Sequence, residues 1–236
     1  MDIRTLPERE RQIYNRLRLQ YSLAFDSLRI GGSTVRLLKV ADLGEIIGDR
    51  DPFADVSTFP FWVKLWDAAI LLSYVLASIP ERKGRTLLEL GAGLGAPGLA
   101  AAAAGFDVTI SDYEETILDF QRVSAAASGL ENVDFTLLDW LHPPQLPAFD
   151  ILAGAEILFR EEFFVPLLRV FSAYLKPGGV IYLAHDARRQ SLPKFLRLAE
   201  KEYRIAVNRQ QYMKDGRPVS IIVNRLEKKD SGGGLA

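Results

Sequence analysis

The sequence predicts an α/β fold: a parallel sheet with helices on both faces and an antiparallel strand at its end. Three observations carry that expectation. From Thr86 onward, short apolar runs alternate with amphipathic ones, the pattern of βαβ units. At the first crossover, three glycines crowd the turn from an apolar run into an alanine-rich one. Near the C-terminus the alternation stops, and RIAVNRQ and VSIIVNRLE are separated only by KDGRP. A connection that short makes a hairpin, so the last strand must insert antiparallel.

Residues 1–56 open with an amphipathic helix. Pro7 suits its first turn, and Ile13, Leu17 and Tyr21 recur at four-residue spacing. LAFDSLRI and STVRLLKV flank Gly31-Gly32 and read as a β-hairpin. FWVKLWDAAILLSYVLASI follows as one mostly apolar helix between Pro60 and Pro80.

In the alternating region TLLEL, VTISD, VDFTLLD, FDILAGA and VIYLAH read as strands. PGLAAAAAG, EETILDFQRVSAAASG, EEFFVPLLRVFSAYL and SLPKFLRLAEKEY read as helices, the third ending at Lys176-Pro177-Gly178-Gly179. The domain spans 57–227, and the tail 228–236 is expected to be disordered for want of core-forming side chains.

Composition narrows the function. Hydrophobic residues at 48% and charged residues at 25% exclude a disordered or collagen-like chain. The 29 basic and 30 acidic residues nearly cancel, which leaves no footprint for nucleic acid or an anionic membrane. With no cysteine there is no thiolate metal site or thiol nucleophile, and only His142 and His185 remain for histidine chemistry, so no metal is expected. The first twenty residues are charged throughout and lack a signal peptide's apolar stretch, and the apolar run 68–77 is far too short to span a bilayer. A cytoplasmic location is the expectation.

The glycine loop, Glu89-Leu90-Gly91-Ala92-Gly93-Leu94-Gly95-Ala96-Pro97-Gly98, marks a nucleotide-type site. A lone glycine there would be a plain turn, but Gly91, Gly93 and Gly95 directly after an apolar strand are not. Gly91, Gly93 and Ala96 satisfy G-x-G-x-x-G/A, and Asp112 ends the second strand, where an acid binds ribose hydroxyls. NAD and S-adenosylmethionine both carry that ribose, so the loop alone does not decide between them.

Two features favour the sulfonium compound. Glu89 places an acid at the end of the first strand, where a pyrophosphate would be repelled and an ammonium or sulfonium attracted. Asp139-Trp140 ends the third strand, where a carboxylate can accept from an adenine amino group and an indole can cover the ring. An edge-of-core Trp with a turn Asp accounts for that pair equally well.

With these motifs in view the chain resembles the class I, seven-strand S-adenosylmethionine-dependent methyltransferases, and among them the methyltransferase-like protein-lysine methyltransferases. The resemblance covers roughly residues 55–225 and rests on LWDAAILLSYVL, LLELGAGLGAPGLAAAAAG, VTISDYEETIL, LLDW, FDILAGAEILF and LKPGGVIYLAHDARR. It implies a Rossmann-like sheet of seven strands, cofactor contacts from Trp66, Gly91, Ala92, Gly93, Asp112, Trp140 and Ala155, and an acid where Glu89 stands; Gly95, Tyr113 and Asp139 join them as cofactor-binding candidates. The family's Asp-x-x-Tyr motif aligns with Glu156-Ile157-Leu158-Phe159, one methylene longer at the acid and without the hydroxyl at the aromatic. Where the family carries paired Asn after the second strand, this chain has Ser124 and Ser128.

Methyl transfer needs alignment and desolvation more than proton chemistry at the leaving group. A lysine nucleophile must first lose its proton, against a reference pKa of about 10.4. Glu156, at a strand's carboxyl end, is the candidate to orient that amine, and Phe159 the candidate wall of a lysine channel. Phe61 and Trp62 read as packing, both histidines as solvated or structural, and Arg188 with Arg189 as a solvated charge cluster. The leading expectation is a protein-lysine N-methyltransferase acting on a protein that presents a lysine. A small amine as substrate, an NAD-dependent oxidoreductase and a non-catalytic module are the alternatives.

Overall fold

In a computed structural model the described residues are 2–42, 44, 61–214 and 216–229, with the side chain of Phe61 excepted. The boundary placed at 56/57 and residues 230–236 of the expected tail lie outside them. A seven-stranded sheet forms the centre, in the order β5-β4-β3-β6-β7-β9-β8. Its strands are β3 (Thr86–Glu89), β4 (Asp107–Asp112), β5 (Val133–Leu137), β6 (Phe149–Ala155), β7 (Leu175–Asp186), β8 (Tyr203–Lys214) and β9 (Arg217–Lys228). The first five run parallel, and β9 inserts antiparallel between β7 and β8, as the short C-terminal connection requires. Strand order reverses between β3 and β6. That reversal opens a crevice at the carboxyl ends, where open α/β sheets bind ligands.

Each face of the sheet is sealed by helices. On one, α5 (Phe164–Tyr174) and α6 (Leu192–Ala199) bury Leu167, Phe171 and Phe195 against Leu88, Leu152, Ile181 and Leu226. On the other, α2 (Asp67–Ser78) and α3 (Ala96–Ala103) bury Leu72, Leu76 and Leu99 against Leu87, Ile110 and Ile151. Removing this apolar surface from water is the main term holding the layers together.

The N-terminal elements are α1 (Glu8–Leu17) and the hairpin β1 (Leu23–Ile30) and β2 (Ser33–Val40). They pack on α4 (Glu115–Ala127), where Ile13, Leu17, Leu38 and Val40 meet Phe120, Val123 and Ala127. Polar contacts fix the register of that docking. The Ser124 hydroxyl accepts from the Leu38 N–H and the Ser128 hydroxyl from the Arg36 N–H, both at 2.8 Å. Each hydroxyl donates to the carbonyl four residues back, so a helix-interior serine is satisfied on both sides. Arg16 and Arg122 together neutralise the buried Asp119 carboxylate.

Several boundaries differ from the sequence reading. Tyr21 lies beyond the end of α1 and contributes its ring to a cluster with Trp62 and Phe120. The apolar stretch 61–79 is not one helix: residues 61–63 make a single 3₁₀ turn, and α2 starts only at Asp67, with Trp66 extended (φ −79°, ψ 146°) as its N-cap residue. Tertiary contact overrides helix propensity there, because the Trp62 backbone lies against the glycine loop. Lys176-Pro177-Gly178-Gly179 is not a loop before β7 but a register irregularity within it, between the pairs Phe149↔Leu175 and Ile151↔Val180. The β8–β9 pairing runs to Lys214↔Arg217, farther than a KDGRP loop implies. No helix among the described residues is long and apolar enough to cross a membrane.

Candidate active site

A cavity of about 680 Å³ opens at the carboxyl ends of β3, β4 and β6. It is lined by Trp66, Glu89, Gly91, Ala92, Gly93, Asp112, Tyr113, Asp139, Trp140, Ala155, Glu156 and Phe159. Every candidate cofactor-binding or catalytic residue from the sequence lines it except Gly95, which instead forms the N-cap of α3 and packs on the Gln121 side chain.

The glycine loop is held by bonds within the chain. Gly91, Gly93 and Gly95 all take left-handed φ (58°, 54° and 73°), which costs glycine little and other residues much. A Cβ at Gly91 would lie 3.1 Å from both Trp140 and Ile157, so the floor of the cavity is backbone by steric necessity. The Leu90 N–H donates to Ala153 O, the Ala92 N–H to Ser111 O and the Gly95 N–H to Ala92 O. The Gly93 N–H donates to Asp112 Oδ2 at 2.8 Å, while Gln121 Nε2 donates to Gly93 O at 2.7 Å.

Beneath the loop, Glu89 is 1% exposed, and its Oε2 accepts from the Gly98 N–H at 2.8 Å. A Cβ on Gly98 would collide with that carboxylate and come within 2.9 Å of Ile110. Burial pushes the Glu89 carboxyl up to about 8, against the pull of the Gly98 N–H and with a push from Asp112. Asp112, also buried, rises to about 6 for the same reason, although Gly93 and Tyr113 both donate N–H to it.

This donor set discriminates between ligands. At the start of α3 Pro97 has no N–H and that of Gly98 belongs to Glu89, so two of the donors a phosphate would use there are missing or taken. A buried carboxylate stands where a pyrophosphate would need donors. The acids suit a cation, and the ribose position at Asp112 is retained. These residues suit an adenosine carrying a positively charged sulfur better than a dinucleotide.

The second wall differs in kind. Glu156 follows β6 in a left-handed conformation (φ 58°), unusual for a residue with a Cβ. Both its carboxylate oxygens are engaged: Oε1 accepts from the Asp186 N–H at 2.5 Å, and Oε2 from Arg189 Nη2 at 2.5 Å and Nε at 3.1 Å. Glu156 and Arg189 are each about 8% exposed, so this is a buried ion pair, and Arg189 is not the solvated charge read from the sequence. Burial pushes the Glu156 carboxyl up and Arg189 pulls it back, with the upward direction prevailing. Next to it, Phe159 stacks edge-on with Phe163 (6.2 Å between centroids), which in turn meets Trp140 at 5.6 Å.

Other sequence candidates are placed as follows. Asp139 accepts from the Leu141 N–H and pairs with His142, which lowers its carboxyl below the usual range. The Tyr113 ring lies at the rim, 67% exposed. His185 is buried, accepts from the Leu158 N–H through Nε2, and is held down to about 3 by desolvation, a structural neutral imidazole. Sequence reasoning missed Arg189, Lys64 and Gln121. Gln121 was detectable as a polar side chain four residues from both Ile117 and Ala125 on the apolar stripe of α4, a position that demands a buried partner.

Comparison with known proteins agrees with this geometry. A family model described as lysine methyltransferase matches residues 61–202, more than half of the chain. Mouse protein N-lysine methyltransferase METTL21A is 30% identical over 150 residues, covering 60% of this chain and 68% of that protein. Mouse EEF1A lysine methyltransferase 3 is 33% identical over 162 residues, covering 61% and 69%. Among solved structures, the precorrin-6y C5,15-methyltransferase of Geobacter metallireducens superposes with a TM-score of 0.56 at 17% identity, over 66% of this chain and 87% of that one, a likeness of fold.

Proposed function

The chain belongs to the lysine methyltransferase family, and from that premise we propose that it binds S-adenosylmethionine in the cavity and methylates a lysine side chain of a protein substrate. The observation that carries the reading is the pair of buried acids, Glu89 and Asp112, at the ends of adjacent strands beneath a glycine loop whose helix start has Pro97 without an N–H and the Gly98 N–H taken by Glu89.

In this reading Asp112 accepts from the ribose hydroxyls, and Glu89 supplies negative potential to the cationic end of the cofactor. Gly91, Ala92 and Gly93 form the floor, Ala155 and Trp66 the sides, and Trp140 the cover of the adenine, with Asp139 and Tyr113 at the rim. The cofactor, when bound, supplies an electrophilic methyl group. What the chain must then do is hold a neutral amine in line with it and keep water out. Phe159 and Phe163 give that approach an apolar wall, which lowers the cost of presenting an uncharged amine. Glu156 faces the amine with the carboxylate lone pairs that Arg189 and the Asp186 N–H leave unused, and is thereby an orienting group and not a strong base. The division into an N-terminal helix-and-hairpin extension at 1–56 and a methyltransferase domain at 57–227, a cytoplasmic location and the absence of nucleic-acid, membrane and metal partners belong to the same proposal. The net charge of −1, which gives polyanions no hold, supports the last of these.

The test is incubation of the protein with methyl-labelled S-adenosylmethionine and a denatured cell lysate, followed by acid hydrolysis and separation of the amino acids. Label is expected as methyl-lysine. Label recovered as methyl-histidine or methyl-arginine, or only in small molecules, would contradict the reading.

A further inference from the structure

The cavity is lopsided in charge. Glu89, Asp112, Glu114, Asp139 and Glu156 line it, and among the described residues only two cations do, Lys64 and Arg160. Arg160 is already occupied, ion-paired with Glu162 and stacked on Phe163 at 5.2 Å. Lys64 has no carboxylate partner among the described residues; its Nζ lies 4.7 Å from the centroid of the Trp66 ring, which also lines the cavity. A cation–π contact of this kind keeps the ammonium at the cavity mouth without consuming its charge.

S-adenosylmethionine ends in an amino acid, with an ammonium and a carboxylate on one carbon. The acids at the strand ends suit the ammonium and the sulfonium. They repel the carboxylate. The usual recourse for an anion beside a glycine loop is backbone N–H groups, and here those of Leu90, Ala92, Gly93, Gly95 and Gly98 are all bonded within the chain. With these five donors spent, a side-chain cation is the stronger remaining partner for the carboxylate. Lys64 stands in the right segment: a Cβ on Gly93 would be 3.5 Å from the Trp62 Cα and 3.7 Å from its carbonyl oxygen, so the chain two residues before Lys64 already touches the loop.

We propose that Lys64 binds the carboxylate of the cofactor's amino-acid end, and so selects the complete cofactor over forms that lack this group. The inference rests on the cofactor reading given above and deepens it. It gives a use to the break between the 3₁₀ turn at 61–63 and α2: extended at Trp66, the segment carries both a cation and an indole along the glycine loop, which a continuous helix from Phe61 would not.

Calorimetric titration of the full chain with S-adenosylmethionine and with decarboxylated S-adenosylmethionine tests it, because the two differ only in the carboxylate. The unsubstituted protein is expected to prefer the complete cofactor by about fivefold, the upper range for a partly exposed ion pair. Lys64→Gln should weaken the complete cofactor by about that factor, leave the decarboxylated one within twofold, and so abolish the preference; Lys64→Arg should retain it. Intact binding of the decarboxylated compound also shows that the variant is folded. Equal weakening of both ligands by Lys64→Gln, or no change in either, overturns the assignment of Lys64 while leaving the cofactor reading standing. Binding of neither ligand by the unsubstituted protein overturns the cofactor reading and this inference with it.

Discussion

The two walls of the cavity both carry buried acids, and they treat them in opposite ways. On the glycine-loop side, Glu89 and Asp112 are satisfied only by backbone N–H groups, and burial raises them to about 8 and about 6. On the side formed by the end of β6, Glu156 is clamped by the guanidinium of Arg189 and the Asp186 N–H. The first arrangement leaves negative charge to be completed by a cationic ligand. The second has its charge neutralised already and keeps only spare lone pairs to orient a ligand, while the backbone strain at Glu156 holds the 156–159 turn in place. The lesson is that an acid at a strand end is not one kind of signal. Its partner decides whether it binds a ligand or shapes the wall beside one.

The sharpest way to break the comparison is to remove the clamp. Arg189→Met strands a carboxylate in the interior, a change expected to cost about 3–5 kcal/mol of stability by thermal or denaturant unfolding. Glu156→Gln added to it should return much of the loss, since the uncompensated charge is gone. A single Arg189→Met variant as stable as the parent would show that the pair does no structural work.

On the opposite wall the same operation should spare folding and strike binding. Asp112→Ala is expected to weaken S-adenosylhomocysteine by at least tenfold, the value of one or two hydrogen bonds to a charged acceptor, roughly 1.5–3 kcal/mol. Unchanged affinity by calorimetry would remove Asp112 from the ribose site. Glu156→Gln, by contrast, should leave that affinity within a few-fold and lower turnover.

The smallest effect is on pH. A carboxyl raised in the folded state keeps its proton more tightly there than in the unfolded chain, so stability from Glu89 falls as pH climbs from about 4.5 to about 8, and that from Asp112 from about 3.8 to about 6. A cationic ligand prefers both acids ionised. Affinity for S-adenosylmethionine is therefore expected to rise about tenfold from pH 6 to pH 8, and titrations at three pH values would reveal a flat profile if the acids do not titrate there.

Much of this was legible in the sequence because it is local. The alternation of strands and helices, the Gly31-Gly32 hairpin, the inserted last strand and the acids at or one residue past a strand's end are all set by patterns a few residues long. The glycine loop was legible because glycine is required there by backbone geometry and by the nearness of Trp140 and Ile157. What escaped depends on contacts distant in the chain. Arg189 reads as a surface cation until folding brings β6 and the end of β7 side by side, 33 residues apart. Trp66 reads as helical until Trp62 must run along Gly93. Ser124 and Ser128 stand out only as departures from a family pattern, and their role as anchors for β2 exists only once the hairpin is docked.

The central claim is that the unpaired acids of the glycine-loop wall make this cavity a site for an adenosyl sulfonium and not for a dinucleotide. Calorimetric titration of the purified chain with S-adenosylmethionine, S-adenosylhomocysteine and NAD in parallel tests it most directly. The account expects binding of the two adenosyl compounds near micromolar, about −8 kcal/mol, and none of NAD. Binding of NAD with no response to the adenosyl compounds would contradict it.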